Sequence, residues 1–79
     1  MKNIRTVEAS EVPTEVALVG LDNGYVVENV EAEDAVSLSD GSYHFSVGEG
    51  RRLITFHDAN GDENYLILHD SHPLDIGDF

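Results

Sequence analysis

The chain has 79 residues, 41% of them apolar, with sixteen acids against four bases and a net charge of -12. That length bounds it to one domain with a small core, and the apolar share argues against full disorder. With no cysteine there is no disulfide framework and no thiolate metal site. The scarcity of Lys and Arg nearly excludes nucleic acid as a direct ligand, because phosphates must be neutralised to be bound.

The opening "MKNIRTVEAS" lacks the charged-then-apolar pattern of a secretory leader, and no apolar run is long enough to span a membrane. The expected location is the cytoplasm. Three turn signals then punctuate the sequence: "DNGY" at 22–25, "SDGS" at 39–42 and "ANGD" at 59–62. Each carries Asn-Gly or Asp-Gly, which tolerate the positive φ of tight hairpins, and each is flanked by β-branched or aromatic runs. The pattern predicts strands near 2–8, 15–21, 25–31, 34–38, 43–47, 52–57 and 64–69. The fold class is all-β: a small antiparallel meander of about 5–7 short strands, forming a barrel or two packed sheets. One short helix is the alternative for residues 14–24, where Thr14 would be the cap, and "EAEDAVSL" can also be written as helical. Residues 1–70 read as the acidic β domain. Residues 71–79, "SHPLDIGDF", read as a separate C-terminal tail, because His72-Pro73 ends strand pairing and Gly77 loosens the last residues.

Within "HDANGDENYLILHD", Asp58, Asn60 and Asp62 match the first three ligands of an EF-hand loop. Glu63 stands where glycine is needed, however, and His69 where the bidentate Glu belongs. A hairpin explains more. With Asn60-Gly61 as a two-residue turn, Asp58 opposes Glu63, an unfavourable like-charge pair. Ile54, Phe56, Tyr65 and Ile67 then share one face, and Leu53, Leu66 and Leu68 the other. Two apolar faces imply a pair central to the fold, or one with a face kept for a partner.

His44, His57, His69 and His72 include one H-x-x-H spacing, but two ligands do not make a metal site. No serine sits in a nucleophile elbow, and no Gly-rich loop opens a helix. No metal, cofactor or catalytic residue is implied, and the chain is not expected to be an enzyme.

The charge distribution is the positive signal. Between Thr6 and Gly50 there is no Lys or Arg, yet Glu8, Glu11, Glu15, Asp22, Glu28, Glu31, Glu33, Asp34, Asp40 and Glu49 all fall there. Such self-repulsion is destabilising and asks for a reason. Solubility, adaptation to high salt and a basic partner are the three that compete. Same-face residues on a strand recur at about 6.6–6.8 Å, and phosphates on one DNA strand advance about 3.4 Å each. Carboxylates on neighbouring strands and hairpin tips therefore sample phosphate-like spacing. In being small, acidic, cysteine-free and β-rich, the chain resembles phage DNA-mimic inhibitors, such as anti-CRISPR and anti-restriction proteins. That resemblance implies a partner with the basic groove of a nucleic-acid-handling protein. "PLDIGDF" resembles the acidic, Phe-terminated tails of single-stranded DNA-binding proteins, which implies that Phe79 anchors in an apolar pocket. The alternative is that Leu74, Ile76 and Phe79 fold back onto the domain. The expected partner-binding residues are Glu28, Glu31, Glu33, Asp34, Asp40, Asp58, Asp62, Glu63 and Phe79. A structural or assembly subunit that oligomerises through its hairpin faces is the second functional expectation.

Overall fold

The computed structural model describes residues 2–31 and 48–79 and, as backbone only, 35–37 and 44–46. Eight strands follow one another: β1 (Lys2–Glu8), β2 (Ala17–Leu18), β3 (Tyr25–Val30), β4 (Ala35–Ser37), β5 (His44–Ser46), β6 (Arg51–His57), β7 (Glu63–His69) and β8 (Pro73–Asp78). The fold is all-β and antiparallel, as the turn spacing predicts. No α-helix forms among the described residues. The only helical turn there is a 3-10 turn at Ala9–Glu11, and residues 14–24 form a short strand and a turn.

Six strands make one sheet in the order β1-β8-β2-β3-β6-β7, and β4 and β5 pair separately. The departure from a simple meander is β8. The segment set apart in the sequence as a tail runs between β1 and β2 and pairs with both. Pro73 takes the first position of that strand, where proline is tolerated. Gly77 lies buried opposite Ala17.

The sheet's inner face carries the core. Val16, Leu18, Val26, Ile54, Phe56 and Ile76 cluster there with Ala9 and Val12 from the segment around the 3-10 turn. Val7, Leu66, Leu68 and Leu74 pack at its margin. Asn29 ties the crossing segment down, with Nδ2 donating to Ala9 O (3.2 Å) and Val12 O (2.7 Å). At the other end of the same crossing, Ala9 N donates to His72 O and Ser10 N to Asp70 O. Fully burying an Ile or Leu stabilises by about 1.5–3 kcal/mol. A domain of this size is stable by roughly 0.05–0.15 kcal/mol per residue. Ile76, wholly buried on β8, is therefore a large part of what holds the fold together.

The outer face is not purely polar. Leu53 and Thr55 are buried on it, opposite Ile67 and Tyr65 of β7. The β6–β7 pair is thus apolar on both sides, as its sequence predicts.

Candidate functional site

The β6–β7 tip is built by Asp58. Its backbone N donates to Asp62 O (2.9 Å), and Gly61 N donates to Asp58 O (3.0 Å). Its Oδ1 accepts from the backbone N of Asn60 (2.9 Å) and of Asp62 (3.1 Å). Its Oδ2 accepts from Asn64 Nδ2 (2.5 Å). Gly61 stands at φ 81°, the left-handed conformation that closes a three-residue hairpin loop. The loop is therefore Ala59-Asn60-Gly61, one residue longer than the expected Asn-Gly turn.

That single residue changes the register. Glu63 pairs with His57, Asn64 with Phe56, Tyr65 with Thr55, Leu66 with Ile54 and Ile67 with Leu53. Asp58 does not oppose Glu63, so the like-charge pair expected there is absent. A one-residue slip also exchanges faces. Ile54 and Phe56 share the inner face with Leu66 and Leu68, while Tyr65 and Ile67 join Leu53 on the outer one.

Register alone sets up a row across the outer face. Gly77 pairs with Ala17, Ala17 with Tyr25, Tyr25 with His57 and His57 with Glu63. From Tyr25 to Glu63 the row crosses two strand spacings, about 10 Å. The Phe79 ring meets Tyr25 edge-to-face at 4.9 Å between centroids, yet Phe79 remains 67% exposed. His57 Nδ1 lies 3.2 Å from Gly61 O, an acceptor, so Nδ1 carries the proton in that contact. Further along the outer face, exposed Glu28 pairs with Thr55 beyond a bulge in β3.

The expected partner-binding residues therefore divide. Glu28, Asp58, Asp62, Glu63 and Phe79 gather toward the hairpin-tip end of the sheet. Glu31 lies just past the other end of β3, 3.8 Å from Arg52 Nη1, and Arg52 Nε is also 3.4 Å from Asp70 Oδ1. Glu33, Asp34 and Asp40 lie outside the described residues. Tyr25 and His57 were not anticipated at the site. The sequence signal for Tyr25 was its place directly after the Asn23-Gly24 turn, where a strand residue must choose a face.

Of the bases, Arg51 and Arg52 begin β6, whose far end is His57, whereas Lys2 and Arg5 are on β1, where Lys2 pairs with Asp78 beside Phe79 at the same end of the sheet as the hairpin tip. On β1, Arg5 Nη1 is 3.3 Å from Asp78 Oδ1, and Asn3 Nδ2 donates to Asp78 Oδ2 at 2.9 Å. Those two hydrogen bonds, Asn3's first, hold the Asp78 carboxyl below the usual carboxylate range. The Asp58 oxygens, by contrast, are taken by neutral N–H donors, two from the backbone of the turn and one from the Asn64 amide at the start of β7.

No known protein-family model, curated protein or solved structure matches the chain. Among the described residues no cluster of three or more His, Asp or Glu is arranged to hold a metal ion, and no helix is long and apolar enough to cross a membrane.

Proposed function

We propose that this chain works by binding a protein, not by catalysis, and that it inhibits a nucleic-acid-handling protein by covering its basic groove in the manner of a DNA mimic. The observation that carries this reading is the composition of the hairpin-tip end. Glu28, Asp58, Asp62 and Glu63 gather beside Tyr25 and Phe79, with no Lys or Arg on β3 or in the tip at 57–64. Asp58 holds the tip in shape by hydrogen bonds that leave its charge intact. Carboxylates of this kind attract Lys and Arg and speed encounter. The aromatic rings beside them add a surface on which a guanidinium stacks.

The test is a panel of proteins with basic grooves: a CRISPR nuclease, a restriction enzyme and a DNA glycosylase. The chain should bind at least one of them, duplex DNA should displace it, and affinity should fall steeply between about 50 and 200 mM salt. The double variant Glu28→Lys, Asp62→Lys should lose about tenfold or more. Salt-indifferent binding, or full binding by the charge-reversed variant, defeats the proposal.

A second reading, an assembly subunit, is favoured by one observation: Tyr65 and Ile67 are both exposed on the outer face of β7, the last strand of the sheet. Light scattering behind size exclusion separates the two readings, since a stable homo-oligomer supports assembly and a monomer supports inhibition.

A further inference from the structure

Where β2 ends, the chain turns through residues 19–24 and leans over the start of β8. The turn is tightly built. Leu18 N donates to Gly24 O (2.7 Å), Gly24 N to Leu21 O (3.1 Å) and Val19 N to Asp75 O (3.0 Å). A Cβ on Gly24 would come within 2.8 Å of the Leu21 Cβ, so only glycine fits beneath the turn. The turn nevertheless exposes Val19 by 38% and Leu21 by 44%. Together with Leu18, Leu66, Pro73, Leu74 and Asp75 they line a groove of about 270 Å³. Leu66 and Leu74 come from β7 and β8, so the groove marks where the curled sheet brings non-adjacent strands together.

We propose that this groove receives a large aliphatic side chain from a basic segment of the partner. The inference rests on the reading of a basic partner given above and adds a second contact to it. The volume lies below the roughly 300–1,000 Å³ of sites that enclose small-molecule ligands, and suits one anchoring side chain. The charge around the groove selects the anchor's neighbours. Asp75 is part of the wall, with its Oδ1 accepting from Thr6 Oγ1 (2.5 Å), and exposed Asp22 follows Leu21 directly. No Lys or Arg lines the groove. An apolar floor with an acidic rim matches a Leu, Ile or Met flanked by Lys or Arg, the anchor-and-rim arrangement of protein interfaces. Leu74 and Phe79 are five residues apart along β8 and its end, about 16 Å at strand rise. Leu66 of the groove is three residues from Glu63 along β7, about 10 Å, and on the opposite face, so the groove is a second contact distinct from the hairpin-tip acids.

Two synthetic peptides test this: one with a central leucine flanked by lysines and arginines, the other identical except for serine in place of leucine. At low salt the leucine peptide should bind about fivefold to tenfold tighter. Its methyl shifts should centre on Leu18, Val19, Leu21, Leu66 and Leu74 of the wild-type chain, a readout that needs no variant. Val19→Ser with Leu21→Ser, both at exposed positions, should erase the difference between the peptides and leave serine-peptide binding unchanged. Equal affinities, or leucine-dependent shifts centred elsewhere, overturn the groove. Self-association that the double variant abolishes also overturns it, because a second copy is then the occupant. If Glu28→Lys, Asp62→Lys leaves both affinities intact, the mimic reading fails while the groove stands. If neither peptide binds, both fail.

Discussion

Asp78 on β8 meets the Arg5 guanidinium and the Asn3 amide, whereas Asp58 at the β6–β7 tip meets two backbone N–H groups and the Asn64 amide. Both carboxylates are satisfied, but the outcomes differ. Pairing with a cation cancels charge, while donation by neutral amides fixes a negative charge in place without removing it. With four bases for sixteen acids, cancellation is scarce, and the described ion pairs direct it to Asp78, Asp70 and Glu31. The hairpin tip is organised without it.

The comparison can be broken most forcefully from the β8 side. Ile76→Ala should cost about 2–5 kcal/mol, a large share of the total stability, and urea unfolding followed by circular dichroism should show little folded protein. Near-native stability would mean that β8 is dispensable after all. At the tip, Asp58→Ala removes the acceptor for three donors and should destabilise by about 1–3 kcal/mol, while Asp62→Ala should stay within about 0.5 kcal/mol. Equal effects of the two would erase the distinction between an acid that builds the turn and one that rides on it. Gly61→Ala places a Cβ at positive φ and should lower stability by about 1–2 kcal/mol. Raising salt from about 0.05 to 1 M should raise the unfolding free energy by a few tenths of a kcal/mol or more, because screening relieves repulsion among the acids.

The smallest effect concerns pH. Asp78 has its carboxyl depressed in the folded state, so its stabilising contribution is present above the ordinary carboxylate range and fades as pH falls through the lowered folded value. Asp78→Asn should flatten that acidic limb of the stability profile. An unchanged profile would show that the Asn3 and Arg5 contacts do not hold in solution.

Much of the fold was legible in the sequence because alternation and Asn-Gly turns report strands directly. β1, β3, β6 and β7 fall within a residue of their expected bounds. The hairpin register was not legible from Asn60-Gly61 alone. Asp58 lies two residues before Asn60 and draws both Asn60 N and Asp62 N onto its carboxylate, which lengthens the loop by one and swaps the faces. β8 was hidden for a different reason. Pro73 and Gly77 read as breakers, and nothing local says that a proline will start a strand or that a glycine will lie against Ala17 across the sheet. The candidate site inherited both limits. Its acids were visible as composition, but the row that joins Tyr25, His57 and Glu63 exists only once the long-range register is set.

The position of β8 bears on how the chain folds. Closing the Glu8–Pro73 ladder spans 64 intervening residues, against five for His57–Glu63, an entropy difference of about 2 kcal/mol. The local hairpins should form early and β8 should insert late, which makes this a slow fold for its size. Until it inserts, β1 and β2 each present an unpaired edge of the kind that recruits other chains. At that stage the net charge of -12 has a second use: it holds unfinished molecules apart long enough for the last strand to find its slot.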